Sequence, residues 1–188
     1  MITLMSTGSY VGLGAAFLAV AVVVWGIITS QSLRKRARAV LEAEAAVDHA
    51  LTQRFATIAK LDETVFPEAG VERGRFASLR WQNGVPANAS IADKASFAGE
   101  IDACARDLVA EIARRGASAD RLVADLEGAL PLTEEQLANA RRLYNATAAA
   151  LNKAVAAFPS MLAANAMRLE KRPYFEIGAA DPDSEPDA

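Results

Sequence analysis

The chain has 188 residues, enough for one ordinary domain plus a further segment, and only 6% of them are aromatic. A net charge of −3 argues against a nucleic-acid partner. The single cysteine, Cys104, excludes an intramolecular disulfide and any zinc site built from two or more thiolates.

Taken in chain order, the first feature is a stretch from Met1 to Leu33 without a charged side chain. Within it, Val11–Ser30 has the length of a helix that crosses a hydrocarbon core of about 30 Å. Val11 to Ile28 holds ten Val, Leu, Ile or Phe residues, which at roughly 0.3–0.6 kcal/mol each favour insertion by about 3–6 kcal/mol. A cleaved signal peptide would carry a basic start and a shorter apolar core, so a retained single-pass anchor is expected. Arg34, Lys35, Arg36 and Arg38 follow the span directly, and no basic side chain precedes it. The positive-inside rule then sets residues 31–188 on the cytoplasmic side of a cell membrane, with the N-terminus outside. The same four cations are also a candidate contact for anionic lipid. Gly8, Gly12 and Ala16 form a small-residue row of the kind that lets two spans approach.

From Ala39 to Val65 there is no Pro or Gly, and the anchor can run into this segment as one helix. Glu44, Leu51, Ile58 and Val65 recur every seven residues beside Val40, Val47 and Leu61, a coiled-coil-like apolar stripe with one acid in it. Phe66-Pro67 should end it. Residues 67–89, rich in Gly and Pro, read as a connecting loop whose Phe76, Leu79 and Trp81 pack somewhere. Ser90 and Asp93 resemble a capping box for a helix with Ile91, Ala95, Ala98, Ile101, Ala105, Leu108 and Ile112 inward. Arg114, Arg115 and Gly116 mark its end. Ser118 is expected to cap a short helix to about Gly128 with Leu122, Val123 and Leu126 inward, and Pro131 to break the chain again. Thr133 and Gln136 form a second capping box, opening a last long helix with Leu137, Tyr144, Leu151 and Phe158 inward and Pro159 closing it. The tail 177–188, with four acids and two prolines, is expected to be disordered.

The residues that carry chemistry are sparse. His49 is the only histidine, Glu134, Glu135, Glu42 and Glu44 start helices or face solvent, and no nucleotide, zinc or nucleophile motif occurs. A di-iron bundle needs paired Glu-x-x-His turns that one histidine cannot supply. No metal, cofactor or enzymatic activity is therefore expected. The fold class expected is all-α: a single N-terminal transmembrane helix (1–30), an antiparallel three- to four-helix bundle (31–176), and the acidic tail.

The C-terminal third carries Thr133-Glu134, Ala140-Arg141-Arg142, Tyr144-Asn145, Asn152, Phe158-Pro159 and Tyr174-Phe175-Glu176. At this spacing it resembles the LemA family of bacterial membrane-anchored helical proteins. In the first cytoplasmic helix, Asp48, Leu51, Arg54, Ile58, Leu61 and Glu63-Thr64-Val65 are similar to a family motif. Ala59-Lys60 stands where the family has Pro-Asn, Met161 replaces an Asn, and residues 66–117 match poorly. The resemblance implies an antiparallel helical domain and no specific activity. Asn145 and Asn152 lie about one residue around the helix from the buried stripe, suited to fix register by bonding a neighbouring helix backbone or a side chain such as Arg54. Pro159 and Tyr174-Phe175 should fold the terminal segment back onto the bundle. The function expected is a non-enzymatic scaffold or interaction module in contact with the bilayer, with a protein partner or self-association. The alternative is a tethered sensor for a small ligand or anionic lipid headgroups.

Overall fold

The computed structural model describes residues 7–66, 85–86, 88–116 and 120–176, which are all-helical, without a strand. Four helices follow in order: α1 Thr7–Val65, α2 Ile91–Arg115, α3 Arg121–Ala156 and the short α4 Ser160–Ala166. The apolar segment and the first body helix are thus one uninterrupted α1 of 59 residues. It contains a stretch long and apolar enough to cross a membrane, near the N-terminus, of which the most apolar window is 6% buried. Residues 14–24 are exposed, including Phe17, Leu18 and Val20, as lipid-facing side chains would be. The chain divides into two compact units, Met1–Ala39 with Ala149–Arg172, and Val40–Ala148 with Pro173–Ala188.

The larger unit has a core made by the expected stripes. Val40, Val47, Leu51, Ile58 and Leu61 of α1 are buried, as are Ile91, Ala95, Ala98, Ile101, Ala105, Leu108 and Ile112 of α2. Fully burying one such Leu, Ile or Val stabilises by about 1.5–3 kcal/mol, so this seam dominates the fold. Phe97 and Phe55 add a tilted ring pair at 6.1 Å. The ends of α2 are capped as expected. Ser90 Oγ accepts from the Asp93 N–H at 3.1 Å, and Gly116 adopts φ 66° and donates its N–H to the Ala113 carbonyl. The Phe66 ring, one residue past α1, lies 4.3 Å beneath the Arg115 guanidinium. Phe76, Leu79, Trp81 and Ser118 lie outside the described residues, as does the tail 177–188.

Four expectations about the second half are corrected. Pro131 does not divide the chain: α3 runs through it as one helix of 36 residues. A helical proline removes the backbone donor to the carbonyl four residues earlier, here that of Glu127. Pro131 is exposed, and the adjoining Leu130 carbonyl accepts from Thr133 Oγ1 at 2.8 Å and Arg54 Nη1 at 3.2 Å. Thr133 therefore does not cap a helix; its buried hydroxyl turns back on the preceding turn. The cap of α3 is Asp120, whose Oδ1 accepts from the Leu122 and Val123 N–H groups at 2.8 and 3.4 Å. Of the residues expected inward there, Val123 is buried and Leu126 half-buried, but Leu122 is corrected: in the first turn of the helix, it lies exposed.

Phe158 is the fourth correction. Leu137, Tyr144 and Leu151 are buried as the heptad spacing requires, but Phe158 is 79% exposed. Helix α3 stops at Ala156, so the periodicity that carries Leu151 inward ends before Phe158 is reached.

In the smaller unit, Leu33 of α1 is buried and Arg36 Nη1 donates to the Ala150 carbonyl of α3 at 3.3 Å. In the larger unit the same two helices meet at Arg54 and Thr133. The long helices run antiparallel, as expected of the bundle.

Candidate functional site

The two asparagines singled out by their spacing share one task. In the larger unit, Asn145 Oδ1 accepts from the Phe175 N–H at 2.8 Å while its Nδ2 donates to the Phe175 carbonyl at 3.1 Å. In the smaller unit, Asn152 repeats the pattern on Arg172, at 2.7 and 2.9 Å. A carboxamide carries an acceptor and a donor side by side, so it can replace the edge of a strand and pair with one residue of extended chain. Seven residues of helix rise about 10.5 Å, and three residues of extended chain span about 10 Å. An Asn every seventh position can thus hold positions three apart on a terminal strap.

The strap has apolar support as well. Tyr144 is buried and donates its hydroxyl to the Pro173 carbonyl at 2.9 Å. Phe175 is 1% exposed, with the Arg141 guanidinium 5.4 Å from its ring centre. The expected fold-back of Tyr174-Phe175 is present, while the expected bond from an Asn to a helix backbone or to Arg54 is not. The amides reach the strap because it lies against the very face they occupy.

Arg54 has a different place. It is 3% exposed, and its Nε and Nη2 both lie 2.8 Å from Asp102 Oδ1 of α2. Nη1 reaches the Leu130 carbonyl and Thr133 Oγ1, and Glu134 stands 3.6 Å from Nη2. One guanidinium thus ties α1 to both other long helices. A second buried cation, Lys94, is 1% exposed, with Nζ 2.8 Å from Glu44 and 2.7 Å from Asp48 of α1. Burial alone pulls the Lys94 pKa down, but hydrogen bonds and charge from Asp48 and Glu44 outweigh it and hold the ammonium above its ordinary value. Glu44, the acid in the apolar stripe of α1, is there to meet this lysine.

Lys94 and Asp102 were not recognisable as partners from apolar periodicity. The available signal was a matched pair of exceptions: Lys94 sits in the α2 seam between Ile91 and Ala98, as Glu44 sits in that of α1. The remaining residues do not converge. Glu63 is exposed, the Thr64 hydroxyl bonds its own helix at Lys60, and Val65 is half-buried. His49, Glu42 and Glu135 are exposed and Cys104 is half-buried. Pro159 is exposed beside Phe158, and Arg34, Lys35, Arg36 and Arg38 are all exposed on α1. Among the described residues, no three His, Cys, Asp or Glu side chains are grouped to hold a metal ion.

What the arrangement does chemically is hold helices and a strap in register. No curated protein matches the chain. The model of the LemA family, by contrast, matches residues 43–187. That match begins after the apolar segment and takes in both cation clusters, the strap and the stretch 66–117, where the motif resemblance was weak. The chain belongs to the LemA family.

Proposed function

We propose that this protein is a non-enzymatic, membrane-anchored scaffold, with a helical body at the inner face of a membrane that engages a protein partner or a second copy. The observation that carries this reading is how the buried charge is used. Arg54 and Lys94 are committed to carboxylates and carbonyls of neighbouring helices, which leaves helix surface as what the body has to offer. On α3 the exposed Leu132 and Leu143 are eleven residues apart, three turns, and so project on one side. Exposed apolar residues in such a row suit a partner helix. The basic residues after the span support the inward orientation.

Crosslinking followed by pull-down from native membranes tests the reading. A defined partner or self-complex is expected, diminished by Leu143→Glu with helicity unchanged. A strictly monomeric protein with no specific partner in mild detergent contradicts it. Proximity labelling from the C-terminus reports sidedness in the same cells.

The second reading is a tethered binding module for a small ligand or anionic lipid headgroups. It is favoured by the exposure of Arg34, Lys35, Arg36 and Arg38, each contributing about 1 kcal/mol near an anionic surface. Membrane association that ignores lipid charge and salt would reject its lipid form.

A further inference from the structure

The smaller unit leaves apolar side chains exposed at a particular height. Phe158 is 79% exposed, Leu162 56% and Met161 39%, all at or just beyond the end of α3. The bond from Arg36 to the Ala150 carbonyl sets the level. Phe158 lies eight residues past Ala150, and α3 remains helical for six of them. Because α3 runs opposite to α1, those residues climb about 10 Å toward the apolar end of α1. That brings Phe158 level with the turn around Ile28–Gln31, where the apolar run stops. The α4 residues Met161 and Leu162 lie beside it.

The chain then returns. Asn152 holds Arg172 at its own level, two residues past Ala150 and so opposite about residue 34 of α1. Exposed Arg172 and its neighbour Lys171, with exposed Glu170 before them, therefore lie near the height of Arg34, Lys35 and Arg38. An apolar tip on the membrane side and a double set of cations one or two turns behind it match the two layers of an anionic bilayer surface.

We infer that residues 157–172 form a second, interfacial membrane contact, with Phe158, Met161 and Leu162 seated among acyl chains and the basic residues on anionic headgroups. This rests on α1 being the membrane span. It assigns the exposed Phe158, which no packing within the described residues explains, to lipid.

The test uses the full chain in phosphatidylcholine–phosphatidylglycerol vesicles, with Cys104→Ser and single Phe158→Cys, Leu162→Cys, Trp25→Cys or His49→Cys substitutions carrying an environment-sensitive fluorophore. Labels at 158 and 162 should shift to the blue and be quenched by nitroxide lipids labelled near the headgroup, with the label at 49 unaffected. The label at 25 reports the anchor alone. If 25 is quenched while 158 and 162 match 49, the interfacial contact is wrong and the anchor stands. If 25 is not quenched, both fall. A blue shift at 158 without lipid quenching means a protein surface covers it, which overturns the inference. Phe158 quenching that is the same without phosphatidylglycerol, or that survives Lys171→Glu with Arg172→Glu, removes the anionic headgroups from it.

Discussion

Substituting Lys94 by Met isolates the electrostatics of the core. The two side chains are of similar length and both fill the site, so Lys94→Met removes charge with little change in packing. It leaves Glu44 and Asp48, whose side chains are 21% and 33% exposed, without the cation that lies within 2.8 Å of both. Stripping one partner from a buried ion pair costs about 3–5 kcal/mol. Water reaches both carboxylates in part, which puts the expected loss near the low end, about 3 kcal/mol. For a chain of this size that corresponds to a fall of about 6–12 °C in Tm. Thermal unfolding of the full chain in detergent, followed by far-UV circular dichroism, reads it directly. The triple substitution Lys94→Met, Glu44→Leu, Asp48→Leu should regain most of the loss, because a packed apolar cluster replaces an ion cluster at little cost. The pH dependence has a definite sign. Folding raises the Lys94 pKa, so its stabilisation is fully present below the unfolded lysine value of about 10.4 and is lost as pH climbs through the higher folded value. The gap between wild type and Lys94→Met should stay constant through neutral pH and narrow only in strong alkali. A loss below about 1 kcal/mol, or a triple variant no better than the single one, would refute the account.

Further outcomes follow from the strap and the proline. Asn145→Ala deletes two hydrogen bonds worth about 1 kcal/mol each and exposes the Phe175 amide, so hydrogen exchange at Phe175 should quicken by more than tenfold. Unchanged protection there would mean Tyr144 and Arg141 hold the strap unaided. Pro131→Ala restores a backbone donor inside α3 and should stabilise by about 1–2 kcal/mol, after the more flexible unfolded chain is counted. Destabilisation, measured by the same melting assay, would show that Arg54 depends on the proline to reach the Leu130 carbonyl.

The sequence alone determined what is local or periodic. A long uncharged apolar run of spanning length favours helix, despite its glycines and valines, because helix satisfies every backbone polar group within the segment, and α1 shows it extending without a break into the stripe of Val40, Val47 and Leu51. Ser90 and Gly116 were legible because caps act within a few residues. Tertiary structure decided whatever depends on a distant partner. The Leu130 carbonyl beside Pro131 finds a partner in Arg54, seventy-six positions before Leu130. Glu44 and Lys94 looked like interruptions in two apolar stripes until packing set them 2.8 Å apart. Asn145 and Asn152 announced a role by their spacing, but only the returning strap revealed it: an amide's partner is fixed by which backbone arrives beside it, and no periodicity encodes that. Phe158 marks the limit of such extrapolation. Its heptad position promised burial, and the promise lapsed when the helix ended two residues short.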